Sequence, residues 1–232
     1  MENIDSEEIL KFEKLADEWW DPEGDFKSLH QINPLRVNYI KEKSGLTELE
    51  VLDVGCGGGI LAEAMSNLGG KVTAIDVSEK TINIAKAYAE KIKSTVNYQK
   101  TTTQELVKQD NKFDVITCLE ILEHVPNPFQ LVKECASLCK EGGHIFFSTI
   151  NRNPRSFVEA VLGAEYLLGL LPKGTHDYAK FIKPSEISEW LRRSNLELKE
   201  IIGLRYNPIT DHYRLDKNIQ VNYIVHSILN KK

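Results

Sequence analysis

The feature that most constrains the fold is a short apolar run that ends in a cluster of glycines. Glu50–Val54 is followed by Gly55–Gly59, in which four of the five residues are glycine, and then by a helix-forming stretch over 60–68. Glycine tolerates the tight backbone that a strand-to-helix turn requires. The segment therefore predicts a strand, a glycine turn and a helix, which is the first unit of an α/β sheet.

The same alternation continues along the chain. Further strands are predicted over 71–76, 95–100, 113–118 and 143–149, and further helices over 79–93 and 128–140. Strands that alternate with helices pair in parallel and carry helices on both faces of the sheet. Two closing strands, 196–202 and 219–226, bring the total to seven, with one antiparallel to the rest. We expect a Rossmann-like α/β fold with a seven-stranded, mostly parallel sheet.

Two segments lie outside this alternation. An amphipathic helix over 6–20 and a second helix over 34–43 predict an N-terminal helical cap at 1–45. Residues 151–183 predict a helical insertion after the fifth strand, which we interpret as a lid. With 232 residues, of which 41% are hydrophobic, the chain suits a single domain over 1–232.

The charge balance and the cysteines limit the partners and the compartment. The 29 basic and 34 acidic side chains leave a net charge of −5, so the chain lacks the positive excess that holds a phosphate backbone. This excludes a nucleic-acid binder. The four cysteines form no CxxC pair, and the acid-rich first thirty residues lack the apolar segment of a secretory signal. These features predict a reduced, cytoplasmic protein.

Two acidic residues accompany the glycine turn. Asp53 precedes Gly55 by two residues, and Asp76 ends the next strand. Ligands of parallel sheets bind beyond the carboxyl ends of the strands, where Gly57 would let a cofactor approach the backbone and Asp76 could hold both hydroxyls of a ribose. The turn also satisfies the GxGxxA spacing of an NAD site, but a carboxylate at Asp53 disfavours a pyrophosphate. We therefore expect a cationic nucleoside, S-adenosylmethionine.

The chain resembles a known family at these motifs and beyond them. The glycine turn, Asp76 and the segments 117–126 and 141–143 resemble the successive motifs of class I S-adenosylmethionine-dependent methyltransferases. Further segments resemble the ubiquinone-biosynthesis O-methyltransferase family, and the similarity extends from about residue 7 to residue 226. These segments include Trp19-Trp20-Asp21, Ile32–Arg36, Asn151-Arg152-Asn153, Pro172–Asp177 and Tyr206-Asn207-Pro208.

The resemblance implies a substrate and a cofactor site. It implies methylation of phenolic hydroxyls on polyprenylated precursors, namely 2-polyprenyl-6-hydroxyphenol and 3-demethylubiquinol. It also implies that Arg36 and Gly55 contact the methionine part of S-adenosylmethionine, that Asp76 binds its ribose, and that Leu119 lies against its adenine. Three alternatives stay open: a methyltransferase for another small acceptor, an NAD-dependent oxidoreductase, and a nucleotide sensor without catalytic activity.

A second cluster of polar residues follows the fourth strand. Glu120, Glu123 and His124 are spaced so that one helical turn would place two carboxylates and an imidazole on one side. In eukaryotic relatives the matching motif is associated with magnesium, which favours oxygen ligands. The alternative is a segment that orders its loop without a metal, and both interpretations stay open.

Methylation of a phenol requires that the hydroxyl lose its proton. A free phenol has a pKa near 10, so about one molecule in a thousand is ionised at neutral pH. A metal could lower this pKa, or a histidine could act as general base. His124 and His176 are the candidate bases, and the sequence does not separate them.

One run in the insertion predicts a contact outside the cofactor site. Residues 157–171 are apolar nearly all round a helix, with Lys173, Lys180 and Lys183 close by. Either the run packs on its own domain, or it dips into an anionic membrane, at the inner face of the cytoplasmic membrane, to collect a tailed phenol. The resemblance further implies other enzymes of ubiquinone biosynthesis as partners.

Overall fold

A computed structural model describes residues 3–157, 177–207 and 210–231. Its strands are β1 (Glu50–Val54), β2 (Lys71–Asp76), β3 (Asn97–Lys100), β4 (Phe113–Leu119), β5 (Cys139–Ile150), β6 (Leu196–Asn207), β7 (His212–Asp216) and β8 (Asn222–Leu229). Its helices are α1 (Ser6–Leu15), α2 (Lys27–Ser44), α3 (Ile60–Asn67), α4 (Glu79–Ile92), α5 (Thr103–Lys108), α6 (Pro128–Leu138), the short α7 (Pro154–Ser156) and α8 (Pro184–Arg193).

The strands form a single sheet in the order β3-β2-β1-β4-β5-β8-β6-β7. The five strands from β3 to β5 pair in parallel, whereas β8 is antiparallel to both of its neighbours and β7 is antiparallel to β6. The α/β class and the mostly parallel sheet are therefore confirmed.

The predicted count of seven strands is wrong, because the described residues contain eight. The additional strand, β7, forms a hairpin with β6, which continues to Asn207 instead of ending at residue 202. The polar sequence of β7, from His212 to Asp216, lacks the apolar run on which strand prediction rests, and its pairing with β6 compensates for this.

The core lies on both faces of the sheet. Neighbouring residues of one strand point to opposite faces, and in the central strands both neighbours are buried. On β4, Ile116 packs in one apolar cluster and Val115 in the other; on β5, Phe147 and Phe146 divide in the same way. Burial on both faces explains why these strands are recognisable in the sequence as continuous apolar runs.

The two flanking segments differ from the expectation in detail. The helix predicted over 6–20 ends at Leu15 and continues as a 3-10 turn, Ala16–Glu18. The second helix, predicted over 34–43, begins seven residues earlier at Lys27, ends at Ser44 and holds Pro34 in its interior. Most of the predicted insertion, including all but the first residue of 157–171, lies outside the described residues. No helix within the described ranges is long and apolar enough to cross a membrane.

A pair of histidines, of which His226 is buried, predicts that acid destabilises the sheet. His226 Nε2 lies 2.9 Å from Nδ1 of His144, and its ring stacks on Phe146 with the centroids 4.7 Å apart. Burial, with a contribution from the neighbouring His144, lowers the pKa of His226 to about 4. The unfolded chain, in which histidine titrates at its ordinary value near 6.5, therefore binds more protons than the folded protein between these two values.

We expect this histidine to cost about 2 kcal/mol of unfolding free energy between pH 7 and pH 5, because stability falls as the pH drops below 6.5. Above pH 6.5 the contribution of His226 to the free energy of unfolding no longer changes with pH. Urea unfolding of the protein and of His226→Gln at both pH values measures the effect, since the other titrating groups are common to the two proteins. An equal loss in the two proteins would contradict the assignment.

Candidate active site

The carboxyl ends of the central strands open into a cavity of about 960 Å³. The helices α1 and α2 and the hairpin of β6 and β7 form its other walls. All of the described residues that the sequence nominated for the site line this cavity: Arg36, Asp53, Gly55, Gly57, Asp76, Leu119, Glu120, Glu123 and His124. His176 lies outside the described residues, so its nomination as a base stays a prediction.

Asp76 connects the glycine turn to the loop after β2. Its Oδ2 accepts a hydrogen bond from the backbone N–H of Gly57, and its Oδ1 accepts one from Ser78, both at 2.9 Å. Burial raises the pKa of this carboxyl. The position at the end of β2, against the cavity, suits a contact with the hydroxyls of a ribose.

Asp53 lies in β1 opposite Thr117 of β4, and this register brings the two side chains together. The Thr117 hydroxyl donates to Asp53 Oδ1 at 2.6 Å. The second oxygen, Oδ2, is buried and has no hydrogen-bond partner in the part of the chain that the structure describes. Burial raises the pKa of Asp53 to about 7, and the nearby Asp76 adds to the shift.

Arg36 presents the complementary unmatched group. This buried side chain donates from Nη2 to Glu120 Oε1 at 2.6 Å, whereas its Nε has no partner among the described residues. Buried polar atoms without partners are rare in folded proteins, and each calls for a ligand or a structural reason. An unpaired donor and an unpaired carboxylate oxygen in one cavity complement the carboxylate and the ammonium of an amino acid.

The glycine turn is covered by the chain's own tryptophans. A Cβ on Gly57, where φ is +53°, would lie 2.0 Å from the Trp19 ring. The Trp20 ring stacks on that of Tyr88 in α4, with the ring centroids 3.4 Å apart. Its Nε1 donates a hydrogen bond of 2.9 Å to the carbonyl oxygen of Gly58. Because these glycines have no side chains, the tryptophans of the N-terminal cap can pack directly against the turn. The expected contact of Gly57 with the cofactor stays a prediction.

Glu120, Glu123 and His124 line the same cavity but do not form a metal-binding set. Glu120 has a positive φ of 56° and turns toward Arg36 and Ser148, whose hydroxyl donates to its Oε1 at 2.7 Å. The buried Glu123 accepts from the Thr149 hydroxyl at 2.9 Å. Burial and the neighbouring Glu120 raise the pKa of Glu123 to about 7.

The third member of this set, His124, turns to a different helix. Residues Leu122–His124 form a 3-10 turn and not an α-helical turn, so the predicted alignment of the three side chains is lost. Within the described ranges no three histidine, cysteine, aspartate or glutamate side chains are grouped to hold a metal ion. The directions of these three side chains do not fit a magnesium ion.

His124 pairs with Glu8 of α1. Its Nδ1 lies 2.9 Å from Glu8 Oε2, and the Phe12 ring packs against the imidazole in a T-shaped contact with the centroids 5.1 Å apart. Burial opposes a charge on the imidazole, but the hydrogen bond to Glu8 and the nearby Glu123 outweigh it, so the pKa of His124 is raised. A histidine oriented by a carboxylate is a common form of general base.

The pKa of Asp53 predicts that cofactor binding depends on pH. A bound ammonium favours the ionised carboxylate, so binding below pH 7 must displace a proton from Asp53. We expect the affinity for S-adenosylhomocysteine to fall about tenfold between pH 7.5 and pH 6. Isothermal titration calorimetry measures this change.

Asp53→Asn should remove this pH dependence, and 5′-methylthioadenosine, which lacks the ammonium, should not show it with either protein. If the affinity of Asp53→Asn for S-adenosylhomocysteine still depends on pH in the same way, the titrating group is not Asp53.

Several residues of the site could not be nominated from the sequence. Glu8 lies in a helix before the sheet, and Thr117 and Ser148 are strand residues to which no sequence pattern assigns a role in the site. Tyr213 enters the cavity wall through β7, the strand that was missed. For Thr117 a signal exists, because its strand runs beside β1 and its position is in register with Asp53.

Known proteins resemble this chain over most of its length. Residues 11–201 match the family model described as a methyltransferase domain. The ubiquinone biosynthesis O-methyltransferase of Saccharophagus degradans is 56% identical over 227 residues, covering 97% of this chain and 96% of that protein. The enzyme of the same name from Pseudomonas aeruginosa is 52% identical, with 97% of each chain covered.

Solved structures support the fold. Magnesium protoporphyrin IX methyltransferase from Synechocystis, with bound S-adenosylhomocysteine, has a TM-score of 0.71 and 18% identity, with 94% of each chain covered. A methyltransferase from Thermotoga maritima has a TM-score of 0.70 and 19% identity, covering 96% of this chain and all of that one. From the extent and identity of the sequence matches, the chain belongs to the ubiquinone biosynthesis O-methyltransferase family of S-adenosylmethionine-dependent methyltransferases.

Proposed function

We propose that the protein methylates the phenolic hydroxyls of polyprenylated ubiquinone precursors, in both O-methylation steps: 2-polyprenyl-6-hydroxyphenol and 3-demethylubiquinol are the acceptors. One observation carries the proposal. The cavity that holds the unmatched Asp53 and Arg36 atoms also holds His124, a base oriented by a carboxylate. The same cavity therefore offers a site for the methyl donor and a group that can take a phenolic proton.

Different residues of the cavity would bind different parts of the cofactor. The unpaired Nε of Arg36 would bind the carboxylate of S-adenosylmethionine, and the unpaired Oδ2 of Asp53 its ammonium. Asp76, at the end of β2, would accept from the ribose hydroxyls, and Leu119, at the end of β4, would pack against the adenine. Gly55 would contact the methionine part through its backbone. Together these contacts would hold the sulfonium within the cavity.

Proton transfer to His124 would activate the acceptor. When bound, S-adenosylmethionine would supply the methyl group and would keep both electrons of the broken carbon–sulfur bond on its sulfur. The phenolic oxygen would form the new bond to the methyl carbon, and His124 Nε2 would take the proton that this oxygen loses. The imidazolium would then release the proton to solvent, with S-adenosylhomocysteine and the methylated phenol as products.

The walls of the cavity suit an aromatic acceptor with an apolar tail. Apolar side chains of α1 line one wall, among them Ile9, Phe12 and Leu15, and the tyrosines Tyr206 and Tyr213 of the hairpin line another. Apolar and aromatic walls with few polar groups bind such molecules by burying their surface.

The acceptor assignment is tested by methyl transfer from labelled S-adenosylmethionine to a catechol that carries a short polyprenyl chain. We expect labelled monomethyl ether, and calorimetric binding of S-adenosylhomocysteine but not of NAD. Transfer to a catechol without a tail at the same kcat/KM would favour a methyltransferase for another small acceptor. Binding of NAD would favour an oxidoreductase, and ligand binding without transfer would favour a sensor.

The tail also supports the predicted membrane contact. A polyprenyl chain partitions into lipid, and the apolar run 157–171 would reach it there, while the net charge of −5 favours weak attachment. We expect the full chain to float with anionic phospholipid vesicles and Leu167→Glu to float less. Equal flotation would indicate that the run packs on its own domain. Contacts with other enzymes of the pathway stay a prediction.

A further inference from the structure

We propose that Glu8 is a positioning residue for the reaction: from a helix outside the sheet, it fixes the orientation and the tautomer of the His124 ring. This inference rests on the proposed function, in which His124 is the base. It assigns to α1 a part in the chemistry beyond covering the cavity.

The burial pattern of α1 is the first argument. Within this helix, all of which is described, Glu8 is the one buried residue, at 6% exposure, whereas Leu10 is 55% exposed. Phe12 and Leu15 of the same helix are only partly buried, against the apolar cluster of Ala16, Trp19 and Phe26. A buried carboxylate costs free energy unless it is paired, so the Glu8 carboxylate must find its partners where α1 docks.

The contacts of Glu8 are the second argument. Its Oε2 bonds His124 Nδ1 at 2.9 Å, and its Oε1 accepts from Lys180 at 2.9 Å and from Lys11 at 3.0 Å. Lys180 also bonds Asp5 at 3.1 Å. The hydrogen bond to His124, together with the two lysines, lowers the pKa of Glu8, so the group is an ionised carboxylate at neutral pH.

An ionised carboxylate accepts hydrogen bonds and donates none. The proton of a neutral His124 must therefore lie on Nδ1, which leaves Nε2 with its lone pair. In the ranges that the structure describes, Nε2 makes no hydrogen bond to another residue, and the ring lies in the wall of the cavity. The edge contact with Phe12 limits rotation of the ring. Glu8 thus presents the basic nitrogen that the acceptor needs.

Two further charged groups, both carboxylates, act on the His124 ring from its own loop. Glu120 and Glu123 raise the pKa of His124 in the same direction as Glu8 does, but each has its own hydrogen-bond partner, Ser148 and Thr149 respectively. Among the described residues, Glu8 is the carboxylate that hydrogen-bonds the imidazole. It is therefore the group that selects the tautomer.

The experiment compares Glu8→Gln with Glu13→Gln. Glu13 anchors the same helix through the Ser78 hydroxyl at 2.7 Å and does not contact His124, so its variant controls for weakened docking of α1. A glutamine at position 8 can donate as well as accept, and so no longer selects one tautomer. Nitrogen NMR of histidine-labelled protein, with the His124 signals identified by their loss in His124→Gln, reports the tautomer directly.

We expect Nδ1–H at His124 in the unmodified protein and in Glu13→Gln, and a mixture of tautomers in Glu8→Gln. The kcat of Glu8→Gln should fall about 10- to 100-fold, with the affinity for S-adenosylhomocysteine within twofold of the unmodified protein. An unchanged tautomer in Glu8→Gln, or an equal loss of kcat in Glu13→Gln, would overturn the positioning role. Full activity of His124→Gln would instead overturn the base assignment, and the positioning role with it.

Discussion

Replacing His124 with glutamine is expected to lower kcat at pH 7 by about 10²- to 10⁴-fold, the contribution that a positioned general base makes. Glutamine keeps a polar side chain in the cavity wall but cannot take a proton from the acceptor. The affinity for S-adenosylhomocysteine should stay within twofold of the unmodified value, because the groups assigned to the cofactor are elsewhere. Initial rates at saturating cofactor, with binding by calorimetry, separate these two quantities.

The dependence of this deficit on pH gives a sharper test. A free phenol ionises near pH 10, so at higher pH a growing fraction of the acceptor needs no base. The ratio of the two rates should therefore shrink as the pH rises from 7 to 9. His212→Gln is the matched control, because His212 is exposed on β7 and should keep full activity. A ratio that stays constant over this range would mean that His124 acts in another way than by removing the proton.

Replacing Asp76 with alanine is expected to weaken the binding of S-adenosylhomocysteine by about 100-fold or more. Hydrogen bonds to a charged acceptor contribute about 1.5–3 kcal/mol each, and a ribose offers two hydroxyls to this carboxylate. Calorimetry measures the loss. Thermal unfolding of the same variant is needed beside it, because Asp76 also bonds the backbone of Gly57 and of Ser78.

A ligand that lacks one hydroxyl distinguishes the two roles of Asp76. The 2′-deoxy analogue of S-adenosylhomocysteine should bind the unmodified protein more weakly than the parent compound, whereas Asp76→Ala should bind the two alike. If the variant still discriminates between them, another group recognises the ribose. Undiminished affinity of Asp76→Ala for the parent compound would remove the assignment altogether.

The parts of the site that sequence analysis located are those that the strand ends bring together. Asp53 and Asp76 each lie near the carboxyl end of a strand, and parallel strands end at the same edge of a sheet. Their approach therefore follows from the order of the elements, without knowledge of side-chain packing. The same argument places Leu119, at the end of β4, in the wall of the same cavity.

The predicted metal site shows that residue spacing alone does not determine which side chains lie together. Glu120, Glu123 and His124 would align if the segment were α-helical, but the positive φ at Glu120 and the 3-10 turn after it give each side chain a different direction. Their partners come from β5, α1 and α2, which are distant in sequence. No local pattern contains that information.

The sequence by itself therefore determined the α/β class, the cofactor edge of the sheet and the methyltransferase family, because apolar runs, glycine turns and motifs are local properties of the chain. Only the tertiary structure decided that β7 pairs with β6, that Trp19 covers Gly57, and that Glu8 meets His124 across 116 residues. These contacts depend on how separate elements approach one another. That approach is set by the packing of the whole chain and leaves no periodic signal in any one segment.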